Sequence, residues 1–85
     1  NLLKLSVLRK SPKTSESNAL KLKSDLLETI PGIEIDGPVP AFHEKHGEFY
    51  EWNLVVKSTS RNKLISVIRQ LPSGWRHDID PINLL

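Results

Sequence analysis

Tyr50-Glu51-Trp52-Asn53-Leu54-Val55-Val56-Lys57 is the most regular stretch of the chain. Tyr50, Trp52, Leu54 and Val56 fall on one side at the two-residue period of a strand, and Glu51, Asn53, Val55 and Lys57 fall on the other. The segment therefore reads as a strand with one face against a core. Directly after it, Thr59 or Ser60 can cap a helix that sets Leu64, Ile65, Val67, Ile68 and Leu71 on one side. Pro72-Ser73-Gly74 ends that helix, and Trp75, His77 and Ile79 alternate with Arg76, Asp78 and Asp80 in a closing strand. On that pattern His77 shares a face with Trp75 and Ile79 and reads as a partly buried structural histidine.

The first half of the chain repeats the scheme. Leu3, Leu5 and Val7 alternate with Lys4, Ser6 and Leu8 in a first strand, which Ser11-Pro12-Lys13 interrupts. Thr14 or Ser15 is then the expected cap of a helix with Glu16 in its first turn. Ala19, Leu20, Leu22, Leu26, Leu27 and Ile30 lie within one arc at 100° per residue, and Pro31-Gly32 closes the helix. Lys23 falls inside that arc, so its ammonium is expected to snorkel outward. Ile33 and Ile35 point one way from a second strand before Gly37-Pro38-Val39-Pro40, whose two prolines suit a turn, connection or sheet edge. Residues 41–48 read as a polar, hairpin-like connection around Gly47. The order strand, helix, strand, strand, helix, strand predicts an α+β, ferredoxin-like split βαβ fold: a four-stranded antiparallel sheet with both helices on one face.

At 85 residues the chain is one domain, and a chain of this size buries only roughly 60 to 65% of its unfolded surface. It has no cysteine, which removes disulfides and thiolate metal sites and suits a reducing cytoplasm. No apolar run approaches the roughly 20 residues of a membrane span. The start at Asn1 and the lack of any methionine predict a domain cut from a longer polypeptide. Charge is distributed in blocks: residues 1–27 hold six Lys or Arg against two acids, residues 28–56 one against six, and residues 57–85 five against two. Such blocks predict a basic side and an acidic side.

Catalytic and cofactor patterns are missing from the sequence. The glycines at positions 32, 37, 47 and 74 form no phosphate loop with its lysine, so this chain carries no ATPase motor. His43-Glu44-Lys45-His46 has the wrong spacing for a zinc helix and lacks a third ligand nearby, and it reads as a solvated loop. Asp78 and Asp80 share a strand face, but no nucleophile or cofactor motif accompanies them, and Asp80 before Pro81 suits a strand stop that accepts backbone hydrogen bonds. Base stacking on the open sheet face needs outward aromatics; Tyr50 and Trp52 point toward the helices, which leaves only Phe49. Two basic clusters remain as phosphate-binding candidates: Arg9, Lys10 and Lys13 after the first strand, and Lys57, Arg61 and Lys63 around the start of the second helix.

Gly37-Pro38-Val39-Pro40, the aromatic strand Tyr50 to Lys57, and Asp78-Ile79-Asp80-Pro81 near the end occur in an order and spacing that resemble the carboxy-terminal domain of the primosomal protein N-prime (PriA) family, the bacterial replication-restart helicases. Leu2-Leu3-Lys4-Leu5-Ser6-Val7 looks like that family's first strand, so the resemblance covers essentially the whole chain. It implies a fold similar to a small-subunit ribosomal protein and a noncatalytic, cytoplasmic, bacterial fragment of an ATP-dependent 3'-5' DNA helicase. ATP, magnesium and zinc would belong to the parent protein, with none in this chain. The implied partners are branched fork DNA, the acidic tail of single-stranded DNA-binding protein, other primosome proteins and the helicase core of the same polypeptide. Arg61 is the position the resemblance assigns to the acidic tail, while Arg9, Lys10, Lys13, Lys57 and Lys63 would hold phosphate. The family commonly has Arg or Lys on both sides of the third strand's first aromatic, where this chain has Phe49 and Glu51, and this weakens the case for DNA contact by that strand. The competing expectation is a free-standing ferredoxin-like interaction or ligand-sensing domain unrelated to DNA.

Overall fold

A computed structural model of the chain describes residues 1–46 and 49–80, and the side chains of these except Pro12 and residues 41–46. The elements are β1 (Leu2–Arg9), α1 (Pro12–Thr29), β2 (Glu34–His46), β3 (Phe49–Lys57), α2 (Arg61–Arg69) and β4 (Trp75–Ile79). They form one antiparallel sheet in the order β2-β3-β1-β4, the ferredoxin-like α+β layout. No helix among the described residues is long and apolar enough to cross a membrane.

Register explains the core. Leu3 stands opposite Val56 on one side and Ile79 on the other, and Leu5 opposite Leu54 and His77. Leu3, Leu5, Leu54 and Val56 are completely buried, with Ala19, Leu22 and Leu26 of α1, its C-cap Ile30, and Leu64 and Val67 of α2 in the same cluster. Both helices therefore cover the same sheet face, as the alternation in β3 predicts.

α1 begins earlier than its sequence suggests. Ser11 is the N-cap, with its Oγ accepting from the Thr14 amide at 3.4 Å, so neither Thr14 nor Ser15 has that role. Pro12 starts the helix, because the first helical position needs no backbone donor and proline already has the right φ. Ser15 is instead the first member of the buried stripe, and its hydroxyl donates to the Tyr50 carbonyl at 3.0 Å. The stripe is also narrower than expected: Leu20 and Leu27 are 51% and 45% exposed. They lie on the outer flank of the arc, and Lys23 beside them snorkels to donate from Nζ to the Gly37 carbonyl at 2.7 Å.

β2 differs most from expectation. Gly37-Pro38-Val39-Pro40 does not leave the sheet; it makes an irregularity within β2, whose register shifts between Asp36 and Val39 and again between Pro40 and Lys45. Residues 41–46 continue the strand, with Lys45 opposite Tyr50 and His46 opposite Phe49. Prolines are tolerated because β2 is an edge strand. Gly37 has φ +103°, and a Cβ there would lie 2.8 Å from the Asn53 carbonyl oxygen, so the close approach of β2 to β3 requires glycine. The expected connection at Gly47, the side chains of His43-Glu44-Lys45-His46, and Pro81 lie outside the described residues.

His77 is exposed, contrary to the buried histidine expected. β4 is the other edge, so an inward-pointing residue there is sheltered only where a helix overlies it, as at the half-buried Trp75 and Ile79. Trp52 is on the helix side but only half-buried, with its Nε1 lacking a partner among the described residues, so the full core burial expected of it is not reached. The contrast within α1 is testable by denaturant melts. Leu26→Ala should cost about 3 kcal/mol, whereas Leu27→Ala, one residue on, should cost under about 1 kcal/mol.

Candidate nucleic-acid interface

The two basic clusters fare differently in three dimensions. Around α2, two of the three named cations are ion-paired. Lys57 Nζ meets Asp36 Oδ2 at 2.6 Å across the β2–β3 ladder, Arg61 Nη1 meets Asp80 Oδ2 at 3.3 Å, and the Lys63 ammonium lies against Gly32. Hydrogen bonding to Asp36 and the charge of that carboxylate, with a smaller contribution from Glu34, hold the Lys57 ammonium above its ordinary value of 10.5. The acidic middle block thus sits beside part of the basic last block, and the two sides predicted from charge blocks partly cancel.

Asp80 organises this end of the domain. Its φ of +48° takes it out of the extended conformation of β4, which ends at Ile79, so the strand alternation that paired it with Asp78 does not extend to it. Oδ1 accepts from the Leu2 amide at 2.8 Å while the Asp80 amide donates to the Leu2 carbonyl at 2.6 Å. Its carboxylate closes β4 onto the start of β1, and Asp78 lies across from Lys4 on the open face.

At the opposite end, where β1 leaves the sheet, Arg9 is half-buried and held in place. Its Nε donates to Asn18 Oδ1 at 3.1 Å and its Nη1 to the Leu8 carbonyl at 2.9 Å. The guanidinium also lies over Gly74, where a Cβ would come within 2.9 Å of Nη1. Lys10 and Lys13 are exposed beside it and have no ion-pair partner among the described residues. Lys21, one helical turn beyond Asn18 on α1, is a further exposed cation on this side, and Trp75 of β4 lines the same groove. Neither was singled out for binding from the sequence: Trp75 is 66 positions from Arg9, and only the β1–β4 pairing brings it near.

The open sheet face is polar. Ser6 and Asn53 are buried at its centre, where the Asn53 amide nitrogen, oriented toward acceptors, donates to Ser6 Oγ at 2.8 Å and Glu51 Oε2 at 3.1 Å. Phe49, 40% exposed, is the aromatic on this face among the described residues, so it lacks a platform for stacked bases. Among the described residues no group of three or more His, Asp or Glu side chains is placed to hold a metal ion.

No protein-family model matches the chain, and no curated protein matches it. The Lys57–Asp36 pair can be checked in solution. A lysine held above its unfolded value stabilises the fold fully below 10.5, and that contribution is lost as pH rises through the raised value. In Asp36→Asn the Lys57 midpoint should fall back toward 10.5, read from its side-chain carbon shifts; an unchanged midpoint would mean that the pair does not form.

Proposed function

We propose that this chain is the noncatalytic carboxy-terminal domain of a replication-restart helicase of the primosomal protein N-prime family. In this reading it holds branched DNA by its phosphates at the β1–α1 corner and receives the acidic tail of single-stranded DNA-binding protein at the start of α2. ATP, magnesium and zinc belong to other parts of the longer protein, whose core and primosome partners lie beside this domain. The observation that carries the proposal is the β1–α1 corner itself: Lys10 and Lys13 are exposed without ion-pair partners among the described residues, next to an Arg9 already fixed in position. Unpaired cations of this kind bind phosphate and release counterions without reading sequence, which suits recognition of a fork by shape. Lys57, already paired with Asp36, and Lys63, packed against Gly32, are secondary contributors to phosphate contact.

An NMR titration with forked DNA and with linear duplex tests the DNA half of the reading. Shifts should concentrate at residues 9–13 and be larger for the fork. Replacing Lys10 and Lys13 together by Glu should flatten the slope of log K against log salt by about 2. Equal binding of fork and duplex would remove fork recognition.

The acidic tail must compete with Asp80 for Arg61. Asp80→Asn removes the competing charge while keeping an oxygen for the Leu2 amide, so it should raise tail affinity, and Arg61→Ala should lower it. Equal affinity of all three proteins for the tail peptide would exclude Arg61 from the site.

A further inference from the structure

Between α1 and the turn joining α2 to β4 lies a cavity of ≈ 270 Å³, with Arg9, Asn18, Lys21, Asp25, Pro72 and Trp75 among its lining. It is on the helix side of the domain, away from the open sheet face. The guanidinium of Arg9 is set by Asn18, by the Leu8 carbonyl and by contact with Gly74, yet its Nη2 has no partner among the described residues. A guanidinium already held in one geometry loses little freedom on taking an anion. Lys21 adds a second cation, the half-buried Trp75 and Pro72 add apolar surface, and Asp25 adds a hydrogen-bond acceptor.

These groups together specify the ligand. Arg9 and Lys21 line the cavity with positive charge that suits one anion, and Asp25 opposes a second. The indole offers apolar surface suited to a flat ring, and Asp25 in the same lining offers an acceptor suited to an N–H on such a ring's edge. The volume lies just under the lower end of ordinary ligand pockets, enough for one ring rather than a stacked pair. An unpaired nucleotide meets all of these conditions, whereas a base in a duplex has both its faces and its pairing edge occupied. We propose that this groove takes a single unpaired nucleotide of a DNA strand, with its base on Trp75 and its phosphate on Arg9 and Lys21. The proposal rests on the function proposed above for DNA being the ligand, and it adds a single-strand site to the phosphate contacts of Lys10 and Lys13.

The test is a titration of the labelled chain with the oligonucleotide dT6 and separately with free dTMP. The dT6 should shift the Trp75 indole N–H, assigned by its loss in Trp75→Phe, together with the Asn18 side-chain amide. Trp75→Leu should weaken dT6 about tenfold, within the range for loss of one stacked base. Lys21→Glu, on an exposed helical surface, should weaken it about tenfold without affecting the melt, which keeps the test decisive if the Trp75 variant unfolds. The proposal is overturned if the Trp75 indole stays unmoved, or if Lys21→Glu binds dT6 as well as the native chain. Affinity for dTMP equal to that for dT6 would also overturn it, because the site would then serve a free nucleotide. A fork preference with a silent Trp75 sinks the groove alone. A Trp75 response without fork preference sinks fork recognition and leaves the groove standing.

Discussion

The inner row of the β1–β3 pair, Leu3 against Val56 and Leu5 against Leu54, is the contact on which the rest of the domain depends. All four side chains are fully buried, and α1 seats Ala19, Leu22 and Leu26, with its C-cap Ile30, over them. Removing this apolar surface from water is the main favourable contribution available to so small a domain. β2 and β4 are laid on either side of that pair, and their irregularities are those of edges. β2 carries two prolines and a shifting register, while β4 is short and leaves His77 in solvent. Edge strands of this kind are poor templates for pairing with another chain.

The same central pair decides which cations are available. Because β2 lies against β3, Asp36 reaches Lys57; because β4 returns beside β1, Asp80 reaches Arg61 and the Leu2 amide. Two of the three cations at the α2 end, Lys57 and Arg61, are thereby matched. At the β1–α1 corner Lys10 and Lys13 have no ion-pair partner among the described residues, while Arg9 is drawn inward to Asn18. Surface ion pairs of this exposed kind contribute little to stability; their consequence here is electrostatic, in which end of the molecule presents positive charge.

Much of the fold was legible because burial on one face leaves a period in the chain. The alternation in Tyr50 to Lys57 and in Leu3, Leu5 and Val7 gave strand type and facing correctly, and the spacing from Leu64 to Ile68 gave α2, which ends at Arg69 and leaves Leu71 beyond it. Boundaries were harder to read. Ser11-Pro12 looks like an interruption and is instead the cap and first residue of α1, because proline both breaks and begins helices. Leu20 and Leu27 fit the arc of α1 but overhang it, since 100° steps cannot tell how wide a stripe the sheet will cover. Residues 41–46 look polar and loop-like, yet they pair along β3 as an edge strand, where one-sided hydrogen bonding suffices.

For the candidate site, the sequence determined the inventory: no phosphate loop, no cysteine ligands, and cations grouped at the β1–α1 corner and at the start of α2. It also determined that Tyr50 and Trp52 could not line the open sheet face, because they are in phase with Leu54 and Val56. Only the tertiary structure decided which of those cations are already engaged, and that Arg9, Asn18, Lys21 and Trp75 meet around one groove. The physical reason is range. Periodicity and capping act over a few residues and leave a local trace, whereas the Arg61–Asp80 pair spans 19 residues and its Leu2–Asp80 neighbour 78, distances closed only by the pairing of β4 with β1.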